Sequence, residues 1–185
     1  PKTGDKRTIR SSGRPPKRPA GKSDTAPATP QNRPFNPARS PSGDEFPPPA
    51  FAERRGMIDG LPSAMVVNTA LKKYPYAADY PWNLRVSALF KAEKTSGHPT
   101  EAEEKVLAGF EKSLFAAVKK AGTLHLLGHT SWSGSREWNF YLDDPAVVDA
   151  ALAKWLNAQP EWRHVEYEIA ADSGWRNVEY YFDYS

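Results

Sequence analysis

The chain has 185 residues and a formal net charge of +3, the length of one compact domain with an appendage. The charge is a sum of unlike halves: residues 1–56 carry 12 Lys/Arg against 5 Asp/Glu (+7), and residues 57–185 carry 13 against 17 (−4). With no cysteine, disulfides, thiolate nucleophiles and zinc–thiolate sites are excluded, and no apolar run approaches the ~20 residues that span a bilayer.

Residues 1–56 hold 12 of the 18 prolines, and Ile9, Phe35, Phe46 and Phe51 are their only large apolar side chains. Such a segment buries too little surface to offset its chain entropy, which predicts a disordered, basic, Pro-rich tail or linker. Nucleic acid is an expected partner only here, where Arg14, Lys17 and Arg18 stand among prolines. The ordered pattern begins at Met57, so residues 1–56 are either a linker or an over-extended reading frame, and a chain opening on Pro1 is expected to be a piece of a longer product. No charged segment leads into an apolar signal-like run, and a cytoplasmic setting without membrane contact is expected.

From Met57 onward a folded domain is predicted. Ala64–Ala70 is a short edge strand or lead-in, and Leu71–Asp79 is a connecting loop. Over Trp82–Lys91, Leu84, Val86, Ala88 and Phe90 alternate with polar residues, the period of a strand with one buried face. Thr100 and Glu103 make a capping-box pattern. Val106, Leu107, Phe110, Leu114, Ala117, Val118 and Ala121 then line one stripe of a helix that stops at Gly122. Two strands follow, Leu124–Thr130 and Glu137–Leu142, joined by a loop over Ser131–Ser135. Asp144 caps a second helix with Pro145 at its first position. Its stripe is Val148, Ala151, Leu152, Trp155 and Leu156, and Pro160 lies past its end. Arg163–Ala170 alternates again, and Trp175–Tyr184 fits either a helix face (Trp175, Val178, Phe182) or a strand (Val178, Tyr180, Phe182, Tyr184), with a short helical turn slightly favoured. The succession strand, helix, strand, strand, helix, strand is that of an α+β, ferredoxin-like βαββαβ sandwich: an antiparallel sheet with two helices on one face, preceded by the disordered tail.

If the pleat runs as assigned, the other face is open. It displays Arg85, Ser87, Lys91, His125, His129, Glu137, Asn139 and Tyr141, a polar and aromatic platform for a partner. Trp82, Trp138 and Trp155 fall on apolar stripes and belong to the core. Trp132 sits in the polar loop, where a tryptophan is a natural contact anchor, and Arg136 stands at the same turn. His125 and His129, four apart on a strand, would share a face with Glu137 nearby. Their alpha carbons would lie ~13 Å apart, too far for one ion, so no metal and no cofactor is expected. Neither a nucleophile elbow nor a phosphate-binding loop is present, and the aromatic signature of RNA-recognition sheets is missing.

Gly128-x-Thr130, Gly134-x-Arg136-Glu137, Phe140-Tyr141 and Asp144-Pro145 resemble a small bacterial domain family of unknown function. Gly60-x-Pro62 and the Tyr74-Pro75 to Trp82 segment add to the likeness, which covers residues 57–185. That family is related to the RraB-like proteins, regulators of ribonuclease E activity. The resemblance implies a ferredoxin-like fold and a regulator acting by binding a protein. The expected function is therefore non-enzymatic: occlusion or scaffolding of an unidentified protein partner through the polar sheet face and the Ser131–Ser135 loop. The rivals are an immunity protein that neutralises a bacterial toxin, and a metal-dependent or acid/base enzyme using His125, His129 and Glu137.

Overall fold

The structure is a computed structural model that describes residues 7–9, 47–93, 96–159 and 164–183, the first of these by backbone alone. Residues 1–6 and 10–46 of the expected disordered tail, with its phosphate contacts, lie outside this set, as do Pro160, Arg163 and Tyr184, whereas residues 7–9 and 51–56 of that tail are strand. Seven strands are described: β1 (Arg7–Ile9), β2 (Phe51–Ile58), β3 (Leu61–Asn68), β4 (Trp82–Leu89), β5 (Leu124–Trp132), β6 (Ser135–Leu142) and β7 (Val165–Ala171). Three α-helices accompany them: α1 (Glu101–Ala121), α2 (Pro145–Ala158) and α3 (Tyr180–Asp183).

The strands form one antiparallel sheet in the order β1-β7-β4-β6-β5-β3-β2. Six of them are long, and β1 adds three residues at one edge. This is a larger sheet than the four strands expected. The predicted succession does run from β4 to β7, with both long helices on one face, but a hairpin of β2 and β3 extends the sheet beyond β5. β3 is an interior strand paired on both sides, not a frayed edge. β2 starts at Phe51, ahead of the domain start expected at Met57.

Local chemistry explains the helices. Thr100 caps α1 by accepting from the Glu103 amide at 3.2 Å, and the buried Glu103 carboxylate accepts from the Lys91 amide at 3.1 Å. Asp144 caps α2 by accepting from the Ala146 and Val147 amides, with Pro145 at the first position. Leu107, Phe110, Leu114 and Val118 of α1 meet Val148, Leu152 and Leu156 of α2 over Leu84, Val86, Trp138, Phe140, Leu142 and Tyr167 of the sheet. Each such side chain, fully buried, contributes about 1.5–3 kcal/mol. Val106, expected on the α1 stripe, is 40% exposed instead: it lies at the margin of the helix face, beyond the neighbours that cover Leu107.

The second face of the sheet is not open. The connection Thr69–Tyr80 and the C-terminal segment from Asp172 to Asp183 fold across it, making a second core of Met65, Val67, Leu71, Tyr74, Tyr80, Leu127, Tyr141, Trp175, Val178 and Tyr181. Trp175 stacks on Tyr141 with ring centroids 4.1 Å apart and donates its indole N–H to the Tyr80 carbonyl at 3.0 Å. One aromatic therefore ties sheet, connection and C-terminus together.

Candidate functional site

The expected platform is divided by one irregularity. β5 and β6 slip register between Leu126 and Gly128, a β-bulge that places two residues of β5 against one of β6. Before it, Leu126 packs with the helix-side core, while His125 and Leu127 face the second core. After it the alternation is reversed. Thr130 now reaches Tyr181 on the second face, and His129 turns to the helix side, 3.6 Å from Glu111. The two histidines thus lie on opposite faces, and the His125–His129–Glu137 constellation is not assembled. Among the described residues no group of three or more His, Asp or Glu stands ready for a metal ion.

Most of the remaining platform residues are under cover. His125 is buried among Tyr74, Tyr80 and Trp175, and burial lowers its pKa to about 4. His129 is lowered to about 4 by burial and then by the Arg136 charge. It is neutral at neutral pH, so its approach to Glu111 is not an ion pair. Tyr141 is fully buried and donates to Asp172 at 2.5 Å. Burial first, then that carboxylate, raises its pKa. Asp172 also accepts from the Arg176 and Asn177 amides, both at 2.9 Å, and so pins the start of the C-terminal segment. Asn139, 2% exposed, donates to Glu137 and to the Tyr181 hydroxyl, both at 3.1 Å. Tyr181 is raised well above the ordinary tyrosine range, mainly by burial. Tyr141, Asp172, Asn139 and Tyr181 hold the second core together, and of these Asn139 also borders an opening.

The turn residues are also structural. β5 runs on to Trp132 and β6 starts at Ser135, so the expected five-residue loop is a two-residue turn, Ser133–Gly134, with φ of 50° and 75°. Trp132 is half-buried and donates to the Ile58 carbonyl at 2.8 Å, which joins β5 to the β2–β3 turn across β3. Arg136 is 6% exposed, with its Nε on Ser131 Oγ and its guanidinium on Glu104, both at 2.7 Å. It fastens α1 to the hairpin.

What stays accessible is a recess of about 260 Å³ on the second face, where the C-terminal segment leaves β4, β6 and β7 uncovered. Arg85 lies between two carboxylates, 2.5 Å from Glu168 on β7 and 3.7 Å from Glu137 on β6. Asn83, Asn139, Asn177 and Tyr180 complete the lining. Asn83 donates to the Phe140 carbonyl at 3.2 Å and more weakly to Asn139 Oδ1 at 3.4 Å. Two carboxylates against one guanidinium leave the recess acidic and rich in amides. Of the predicted site residues, the structure brings Arg85, Glu137 and Asn139 together here. Glu168, Asn83, Asn177 and Tyr180 are additions. Glu168 stands on the expected polar side of its strand, but only the pairing of β4 with β7 sets it beside Arg85.

Residues 54–184 match the model of a family of unknown function, DUF695. No curated protein and no solved structure matches the chain. No helix among the described residues is long and apolar enough to cross a membrane.

Proposed function

The chain belongs to a family of unknown function, DUF695, and from there we propose that it is a non-catalytic binding domain whose contact surface is the acidic recess around Arg85. The carrying observation is the arrangement of Glu168, Arg85 and Glu137 in an opening of a face that is largely covered over β4, β5 and β6. The site is pre-organised: the Asn139 amide holds Glu137. A partly desolvated site with excess negative charge selects a basic group, and the neighbouring amides suit the polar backbone around it. A lysine or arginine side chain of a partner protein fits that chemistry, with occlusion or scaffolding of the partner as the result. The resemblance of the chain's motifs to a family that looks related to ribonuclease regulators would imply a protein partner, and in its finest form the proposal names a ribonuclease by analogy. The strand order β7-β4-β6-β5 with two helices on one face supports a ferredoxin-like unit at the centre of the sheet. A chain without cysteine supports a reducing, cytoplasmic setting.

The test uses the side-chain amide resonances of Asn83 and Asn139. A lysine-rich peptide should shift them on titration, and a glutamate-rich peptide of equal length should not. The Glu137→Gln/Glu168→Gln double variant should weaken the lysine peptide roughly tenfold or more while keeping the fold. Equal binding of the two peptides, or no loss in the double variant, would sink the proposal.

A further inference from the structure

β2 is an eight-residue strand without proline, and among the described residues no strand lies beyond it. Its backbone orientation can be read at both ends. The Ala50 carbonyl accepts from the Thr69 amide at 2.8 Å and the Ile58 carbonyl from Trp132 Nε1 at 2.8 Å, both on the β3 side. Antiparallel alternation then turns the polar groups of Ala52, Arg54 and Gly56 inward, and those of Phe51, Glu53, Arg55 and Met57 outward. The side chains of these four form one row on the helix side, opposite Asn68, Val66, Ala64 and Pro62. All four are exposed, Phe51 by 51% and Met57 by 59%. Among the described residues Glu53 and Arg55 pair with each other, at 2.9 Å, and both are exposed. A long edge with exposed Phe51 and Met57 in its row, and with no strand beyond it among the described residues, can accept another strand whose charges match Glu53 and Arg55.

The row is self-complementary. When the strand is laid antiparallel against a second copy about Arg54, Glu53 faces Arg55 of that copy and Phe51 faces its Met57, and each contact occurs twice. The outward-facing backbone groups meet in the same register and complete a ladder. Shifting the centre to Glu53 or Arg55 sets like charges opposite each other and removes the Phe51–Met57 contacts. The adverse contact in the favoured register is Arg54 against its own mate, on the other face, where both guanidinium groups are exposed and screened by water. The geometry points to β2 as a self-association edge: two copies pair antiparallel about Arg54 into one continuous sheet. The surface lies apart from the Arg85 recess and does not depend on its role.

Sedimentation equilibrium on the full chain over a micromolar concentration range tests this. A reversible monomer–dimer equilibrium is expected. Glu53→Arg alone and Arg55→Glu alone each set two like-charge pairs across the axis and should raise the dissociation constant roughly threefold to tenfold. Glu53→Arg/Arg55→Glu together should return it to the parent value. Arg55→Pro removes an outward N–H that no described residue accepts, and should abolish the dimer while leaving the circular dichroism spectrum intact. A monomer at all concentrations overturns the inference. So does a dimer indifferent to Arg55→Pro, or a double swap as weak as the single ones.

Discussion

Gly128 occupies the point where β5 changes step. Its φ is 157°, and a Cβ built there would run into the Val66 carbonyl oxygen of the neighbouring strand. No side chain can give way, because the obstacle is backbone. Gly128→Ala should therefore cost about 3 kcal/mol or more, read as a lowered urea midpoint. A loss under about 1 kcal/mol would show that β3 and β5 can move apart. The same residue carries the clearest missed signal in the sequence. A glycine inside an alternating run marks a bulge or a close backbone approach. Taken at its word, it would have placed His125 and His129 on opposite faces. Strict alternation gives the wrong answer for His129 alone of the two, since the slip lies between them.

At the scale of the element, the C-terminal segment does the work that the expected open face would have left to a partner. Its short helical turns, Arg176–Val178 and α3, bury little by themselves. They are held by Trp175 on Tyr141, by Tyr181 under Thr130 and Asn139, and by Asp172 at their start. Trp175→Ala removes the largest of these contacts and should destabilise the fold by about 3–5 kcal/mol. Binding of a hydrophobic dye should rise as Leu127 and Tyr141 become wet. Unchanged stability would mean that the second core is not a core. The spacing of Trp175, Val178 and Phe182 leans to a helical turn but also admits a strand through Val178, Tyr180 and Phe182, and the structure has the turn. That it covers the sheet was not legible, because the polar residues it covers satisfy one another: Tyr141 with Asp172 and Asn139 with Tyr181. Alternation of polar and apolar residues signals a solvated face, and here the polar row is a buried hydrogen-bond network.

For the whole molecule, His125 and the largely covered His129 set an acid limit. Their folded pKa values of about 4 lie below the ordinary 6.5. The unfolded chain therefore takes up protons first as the pH falls. Stability from this source is complete above about pH 6.5 and is lost between 6.5 and 4, at up to about 1.4 kcal/mol per pH unit for each histidine. Thermal midpoints measured across that window should fall on acidification, and His125→Gln should flatten the slope. A midpoint that rises between pH 6.5 and 5 would refute the assignment. The charge asymmetry of the chain belongs to the same scale. The acidic half forms most of the sheet and presents the Arg85 recess, while β2, with Arg54 and Arg55, comes from the basic half.

The sequence by itself determined the elements with strong local causes: the cap and apolar stripe of α1, the Asp144–Pro145 start of α2, the alternation of β4, β6 and β7, and the core tryptophans. Those depend on periods of 3.6 and 2 and on contacts a few residues apart. Tertiary structure alone decided which strands are neighbours, which face is covered and where β5 slips. Each of these is a balance between surfaces far apart in the chain. Glu168 reaches Arg85 across 83 positions, and Trp175 reaches Tyr80 across 95. No local period carries that information, and so a broad predicted platform contracts to a recess of two carboxylates, one guanidinium and their amides.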